Sequence, residues 1–344
     1  MMSLNSRKRL ILQAIIEDYI NTAEPVGSRT ISKKYLTSVS SATIRNEMAD
    51  LEEMGYIEQP YTSAGRIPSD KGYRLYVDSI MNQNILNAKK IEYIKKEFME
   101  TLGEIDDLIK HASKLLSNMT KYASIAMAPQ YGKTRLKHIQ LIGIDNFNVL
   151  SVIVTDVGIV KNSVIRMEES LDIRTLDKIS NMLNDKLTGL SLDKLNDLDI
   201  SNLTSEVNGY NELLIKVLPE LFQALKYSDK IEVYHEGAAN LLDLPEYSDI
   251  QKAREFLNVL DEHDLLFEVL EDKSEDLSVT IGKENKITQL KNCSLITATY
   301  SFNGKVIGSI GVVGPTRMEY SRVISLVDCL TENLNDILSK VLKT

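Results

Sequence analysis

Three helical stripes crowd into the first 55 residues, and the residues just beyond them cannot continue as helix. Residues 7–20, RKRLILQAIIEDYI, place Leu12, Ile15, Ile16, Tyr19 and Ile20 on one face at helical spacing, with Ser6 as the expected N-cap. Pro25 and Gly27 break that pattern. Ser28 is expected to cap a short second helix over about 29–36, with Ile31 and Tyr35 turned inward. After a turn at 37–40, Ser40 or Ser41 opens a third helix, ATIRNEMADLEEM, whose buried stripe is Ile44, Met48 and Leu51. Gly55 is placed to end it as the residue after the C-cap. A strand over Tyr56–Gln59 then runs into Pro60, followed by the loop TSAGR, Ile67, Pro68 and a helix starting near Ser69. Three helices followed by strand, loop and strand over roughly residues 4–78 is the order of a winged helix. The short turn between helices two and three is what helix-turn-helix geometry requires.

Two polar clusters stand out within that order. Ser40, Ser41, Thr43, Arg45 and Asn46 crowd the start of the third helix, the part of a recognition helix that meets base edges and phosphates. Hydroxyls suit phosphate oxygens, Arg can take guanine bidentately, and Asn can take adenine. Arg45 and Asn46 are neighbours on the helix, so their side chains diverge by about 100° and cannot read the same base. Thr62, Ser63 and Arg66, with Gly65, make a polar hairpin tip suited to lie along DNA or enter its minor groove. Lys71 and Arg74 on the next helix are candidate phosphate neutralisers. Each cluster alone is also compatible with a capped surface helix or an ordinary polar turn. Together, at this spacing, they point to double-stranded DNA.

The net charge of −9 is distributed unevenly. Residues 1–78 hold as many lysines and arginines as aspartates and glutamates, so the whole excess is in the remainder. A neutral head on an acidic body is repelled by DNA everywhere except at the head. Beyond residue 78 the chain reads as helical to about 122, with an apolar stripe of Ile91, Ile94, Phe98, Leu102, Ile105, Leu108, Ile109, Leu115 and Leu116. Strand texture follows over 136–166, with turn signals at Asp145-Asn146 and Asp156–Gly158. Helical texture covers about 173–227, then a short strand KIEVYH and a helical run at 249–262. LSVTIG, CSLITATYSF and KVIGSIGVVG return to strands with a turn at Asn303-Gly304, before a last amphipathic helix over about 318–342. Strands on both sides of a mainly helical middle suggest one mixed domain split by an insertion. The fold class expected is therefore α+β.

Four stretches also resemble a known family: EPVGSRTISKKY, VSSATIRNEMADLEEMGYIEQPYTSAGRIPSDKGYR, YHEGAANLLDLPEY and IGVVGPTRMEYSRVISLVD are similar to the heat-inducible transcription repressors of the HrcA family. The resemblance implies a winged-helix DNA-binding domain over 1–78, a helical linker over 79–122, a GAF-like domain over 123–170 and 272–344, and a mainly helical dimerisation domain inserted at 171–271. It also implies repression of heat-shock chaperone operons by a homodimer on a CIRCE-type inverted-repeat operator, with the GroEL chaperonin keeping the repressor active. The family usually has His where Tyr61 stands.

Other chemistry finds little support. Cys293 and Cys329 are too few for a disulfide framework or a zinc knuckle. His111, His138, His235 and His263 lack metal-ligand spacing, and His235-Glu236, next to Gly237, is the one pair singled out as a functional candidate. Gly308, Gly311 and Gly314 do not form a dinucleotide fingerprint and are read as bends and a turn before Pro315. Arg317 and Glu319 read as a salt-bridged helix start. No nucleophile elbow, cofactor or metal is expected, nor a secretion signal or membrane helix, and a reducing cytoplasm suits the chain. The competing account is a small-ligand-sensing winged-helix regulator, with an effector in the GAF-like domain gating the heads.

Overall fold

The computed structural model describes residues 4–79, 81, 86–100, 105–129, 135–156, 160–168, 172–190, 213, 216–219, 232–271, 276–302 and 304–341. Its first three helices are α1 (Ser6–Thr22), α2 (Ser28–Lys34) and α3 (Ser41–Glu53). They bury Ile11, Leu12, Ile15 and Ile16 against Ile31, Ile44 and Leu51. Caps set their ends. Asn5, not Ser6, accepts the Lys8 amide at 2.8 Å at the start of α1. Gly27 precedes α2 without a side-chain cap, one residue earlier than expected. Ser40 Oγ accepts the Thr43 amide at 3.1 Å, and Gly55, at φ +77°, follows α3. Strands β1 (Ile57–Glu58) and β2 (Ile67–Pro68) then pair antiparallel, Ile57 opposite Pro68. Arg66 and Val26 extend this hairpin by exchanging backbone hydrogen bonds at 2.9 Å in both directions. Gly65 permits that approach, since a Cβ there would lie 2.6 Å from the Pro25 carbonyl. Helix α4 (Asp70–Ser79) is capped by Ser69, whose Oγ accepts the Gly72 amide.

Two further helices, α5 (Ala88–Glu100) and α6 (Ile105–Thr120), lead to β3 (Ala123–Met127), every residue of which is buried. The chain next forms β4 (Leu136–Gly143), β5 (Asn148–Thr155), β6 (Val160–Arg166) and α7 (Ile173–Leu187). Later come β7 (Val233–Glu236), α8 (Ile250–Asp261), α9 (His263–Glu271), β8 (Leu277–Ile281), β9 (Cys293–Phe302), β10 (Lys305–Pro315) and α10 (Tyr320–Val341). Five of these strands make one antiparallel sheet in the order β7-β3-β10-β9-β8. Helices α6 and α10 cover one face, through Ser113 on Ser124 and Tyr320 on Ser294. Helix α9 meets the other face, where Ser309 Oγ donates to the Leu270 carbonyl. The fold is α+β.

The described structure divides into two compact units, one of Met1–Ala128 with Val233–Leu338, the other centred on Pro129–Glu232. This differs from the expected boundaries. Residues 136–166 do not join the C-terminal strands; β4-β5-β6 is a separate three-stranded sheet. The reason is visible in β5, where buried and half-exposed residues alternate, the mark of a sheet covered on one face only. Helix α7 supplies that cover with Leu176, Ile179 and Leu183. Its Asn184 also takes both backbone groups of Ile139, at 2.8 and 2.7 Å, on the free side of β4. The middle unit is thus not mainly helical in its described part. Conversely, β7, α8 and α9 belong with the first unit. Nor are residues 79–122 only a linker, because Leu108, Ile109, Leu115 and Leu116 of α6 are core. β10 runs through Gly308, Gly311 and Gly314 to Pro315, so no turn precedes Pro315; its pairing with β9 shifts register between Val306 and Gly308, and a Cβ on Gly308 would strike the Tyr300 ring at 2.2 Å. Asn303, Gly158, Leu102 and most of 191–227 lie outside the described residues.

Candidate nucleic-acid interface

The head holds half of its charged residues in ion pairs. Lys8 reaches both Glu47 and Asp50 at 2.9 Å, and Lys34 meets the buried Asp18 at 2.6 Å. Hydrogen bonds donated to those carboxylates raise the pKa of both lysines. Among the described residues of the head, Arg9, Arg29, Lys33 and Arg45 make no ion pair or side-chain hydrogen bond. Arg45 and Asn46 are both exposed on α3. They sit on the helix that Ile44, Met48 and Leu51 anchor from behind, so their presentation is fixed by core packing. Ser40 spends its hydroxyl on the N-cap and on Thr43 Oγ1 at 2.9 Å, while Ser41 is half-buried beside it. At the hairpin tip Tyr61, Thr62 and Ser63 are exposed, and Ser63 holds φ at +69°.

Three expected DNA contacts are placed otherwise. Arg66 is not a free cation at the tip. Its Nε and Nη2 hold Glu52 of α3 at 2.9 and 2.7 Å, and only a fifth of the side chain is exposed. Lys71 covers the end of α3, donating to the Met54 carbonyl at 2.7 Å with Nζ 4.5 Å from the Tyr56 ring centre. Arg74 faces the sheet domain, where it grips both oxygens of Glu284 and the Val279 carbonyl. That pairing raises the Arg74 pKa. On Glu284, burial pushes upward, but hydrogen bonds from Arg74 and the Ile281 amide prevail and lower the carboxyl below its usual range. Such partners lie 14 and 210 residues away in sequence, beyond any local signal. Arg29 and Lys33, not singled out from sequence, are the added candidates; the available signal was two cations four residues apart on a short helix.

The head is joined to the sheet domain at other points too. Asp70 accepts the Lys283 amide at 3.0 Å, and Tyr73 packs on Tyr320 with ring centres 5.7 Å apart. Arg317 binds Glu246 with Nε and Nη2 at 2.6 and 3.1 Å, while Nη1 donates to the Ile20 carbonyl of α1 at 2.6 Å. Glu246 and Arg317 come from two of the distant sequence motifs, and both meet the head here. Glu319 pairs instead with Arg322 at 3.0 Å, and His235 Nε2 lies 3.6 Å from Asp261. Among the described residues, no cluster of His, Cys, Asp or Glu could hold a metal, and no helix is long and apolar enough to cross a membrane.

Comparison with known proteins agrees in one direction. The family model described as HrcA protein C terminal domain matches residues 106–324. The Heat-inducible transcription repressor HrcA of Alkaliphilus metalliredigens (strain QYMF) is 46% identical over 338 residues, covering 98% of each chain. The protein of the same name from Ruminiclostridium cellulolyticum is 47% identical over 345 residues, covering 99% of each. A crystal structure of a hypothetical protein at 2.2 Å resolution is similar in fold, with TM-score 0.67, 25% identity, and 98% and 99% of the two chains covered.

Proposed function

Because the chain belongs to the HrcA family of heat-inducible transcription repressors, a non-enzymatic role, we propose that it represses by occupying double-stranded operator DNA with its residue 4–78 head folded as a winged helix. Helix α3 enters the major groove, with Arg45 on a guanine and Asn46 on an adjacent adenine. Ser41, Thr43 and the amides at the start of α3 meet phosphate, as do Thr62 and Ser63 of the wing. Arg29 and Lys33 supply further phosphate contacts. Arg66, Lys71 and Arg74 act instead by holding the wing and the head in place. The observation that carries this reading is that Arg45 and Asn46 stand exposed on a helix anchored by Ile44, Met48 and Leu51, while Lys8, Lys34 and Arg66 are paired internally.

The family resemblance supports the wider setting. The operator is a CIRCE-type inverted repeat upstream of heat-shock chaperone operons, and a cytoplasmic homodimer grips its two half-sites. The five-stranded domain plays the GAF-like part, the middle unit the dimerising part, and GroEL keeps the repressor active. A nuclease footprint of the purified protein on the promoter region of its own operon tests this. Two protected half-sites related by a two-fold axis are expected. Absence of protection at any protein concentration below the micromolar range contradicts it.

A further inference from the structure

The five-stranded sheet carries a small open pocket of about 100 Å³ on the face that α9 covers. Its floor is Ser278 of β8 and its cross-strand partner Thr297 of β9, and Leu295 lies one step along on the same face. Val269 of α9 and Ile287 and Leu290 of the turn after β8 supply apolar walls. The mixture of apolar walls with a few hydroxyls is that of a small-molecule site, and its volume suits only a ligand of about five or six heavy atoms. Three charged side chains border it: Glu268, Glu284 and Lys286. Arg74 occupies Glu284, and Lys286 has an interaction of its own within the chain. Glu268 is exposed and has no partner among the described residues. Glu268 is therefore a carboxylate at the pocket rim that can take a cation.

One wall of this pocket is also where the head is fastened. The turn 282–285 gives Glu284 to Arg74 of α4, and its Lys283 amide to Asp70. The carbonyl of Val279, beside Ser278 in β8, takes a second bond from Arg74 at 2.5 Å. Asn285 keeps the turn in shape from inside: its Nδ2 reaches the carbonyls of Gly282, Leu290 and Cys293 at 2.8–2.9 Å, and its Oδ1 accepts Thr280 Oγ1 at 2.7 Å. A molecule seated between α9 and this turn presses on the residues that hold α4.

We propose that this pocket takes a small molecule with an apolar body and one cationic end, and that its occupancy changes DNA affinity through the Glu284–Arg74 clamp. The apolar body lies on Val269, Leu290 and Leu295, and the cation faces Glu268. The coupling half of the proposal rests on the head being the DNA-binding part; the binding half does not.

The test uses the full-length protein and three isosteric probes: isopentylamine, isopentanol and isovalerate, followed by ligand-observed NMR. The amine is expected to bind at least fivefold more tightly than the alcohol, with isovalerate weaker still. Glu268→Gln should bring amine and alcohol within twofold of each other. Thr297→Trp fills the floor from a half-exposed position and should abolish binding while leaving the thermal midpoint within a few degrees; Ser278→Phe serves if that variant fails to fold. Saturating amine should change affinity for the footprinted promoter fragment at least threefold in the wild type and not in Thr297→Trp. Equal binding of all three probes, binding that survives pocket filling, or no binding of the amine at 10 mM overturns the site, whatever the DNA result. Binding that leaves DNA affinity unchanged, with the footprint intact, overturns the coupling alone.

Discussion

Replacing Arg66 with alanine separates a residue that touches DNA from one that positions the wing. Its guanidinium makes two contacts to one oxygen of Glu52, with the side chains one-fifth and one-third exposed. A charge-assisted pair of this kind contributes about 1.5–3 kcal/mol when dry, and partial solvation reduces it to roughly 1 kcal/mol. A double-mutant cycle of Arg66→Ala with Glu52→Ala, followed by urea unfolding, should return a coupling of about that size. On the DNA side, loosening the wing by about 1 kcal/mol lowers affinity roughly fivefold per head. The slope of log affinity against log salt should not change, because no phosphate contact is lost. A direct contact would flatten that slope by about 0.9 per head, close to two units for a dimer. Glu52→Gln discriminates further: it should weaken binding as Arg66→Ala does, whereas an Arg66 that meets phosphate would be freed by it and bind more tightly. A flattened slope together with tighter binding by Glu52→Gln would refute the positioning role.

Three other outcomes are measurable. Gly65→Ala should destabilise the head by about 2–4 kcal/mol in urea unfolding, since the added carbon meets the Pro25 and Val26 backbone at 2.6 Å rather than a side chain that can move away. The lowered pKa of Glu284 means that its stabilising effect is present above the ordinary carboxylate pKa, about 4.3, and is lost as pH falls through its lower folded value. Glu284→Gln should therefore remove part of the acid-side fall in thermal midpoint seen below about pH 4.5, and an unchanged pH profile would count against the clamp. After mild heating, DNA binding should recover fully only with GroEL and ATP; full recovery unaided would argue against dependence on the chaperonin.

Local signals in the sequence are enough to recognise the head. The stripe Ile44, Met48 and Leu51, the cap at Ser40 and the stop at Gly55 all act within one or two turns, and the structure places them as expected. Features that depend on distant partners are not legible in this way. Arg74 looks like a phosphate ligand on its own helix, and only the fold brings Glu284 beside it. The sheets escape assignment for a related reason. KHIQLIG and CSLITATYSF are both β-branched runs, but β9 is buried along most of its length by layers on both faces, while β4 leaves half of its residues exposed and β5 alternates. That difference reflects which helices return to cover them, a matter of long-range topology. Helix α6 reads as a connector because its stripe does not reveal that a sheet lies beneath it. In the candidate site, exposure of Arg45 and Asn46 follows from helical periodicity alone. The small-molecule pocket has no sequence signature, since its lining comes from α9, β8, β9 and the turn between the strands.

The central claim is that α3 reads base sequence through Arg45, and a competition binding experiment tests it most directly. Wild type and Arg45→Ala would be titrated against the footprinted promoter fragment and against random-sequence DNA of equal length at one salt concentration. Loss of one bidentate base contact is worth about 1–3 kcal/mol per half-site. Arg45→Ala, with an unchanged thermal midpoint, is predicted to lose at least tenfold on the promoter fragment and less than threefold on random DNA. Equal losses on both, or none on either, would contradict base reading by Arg45.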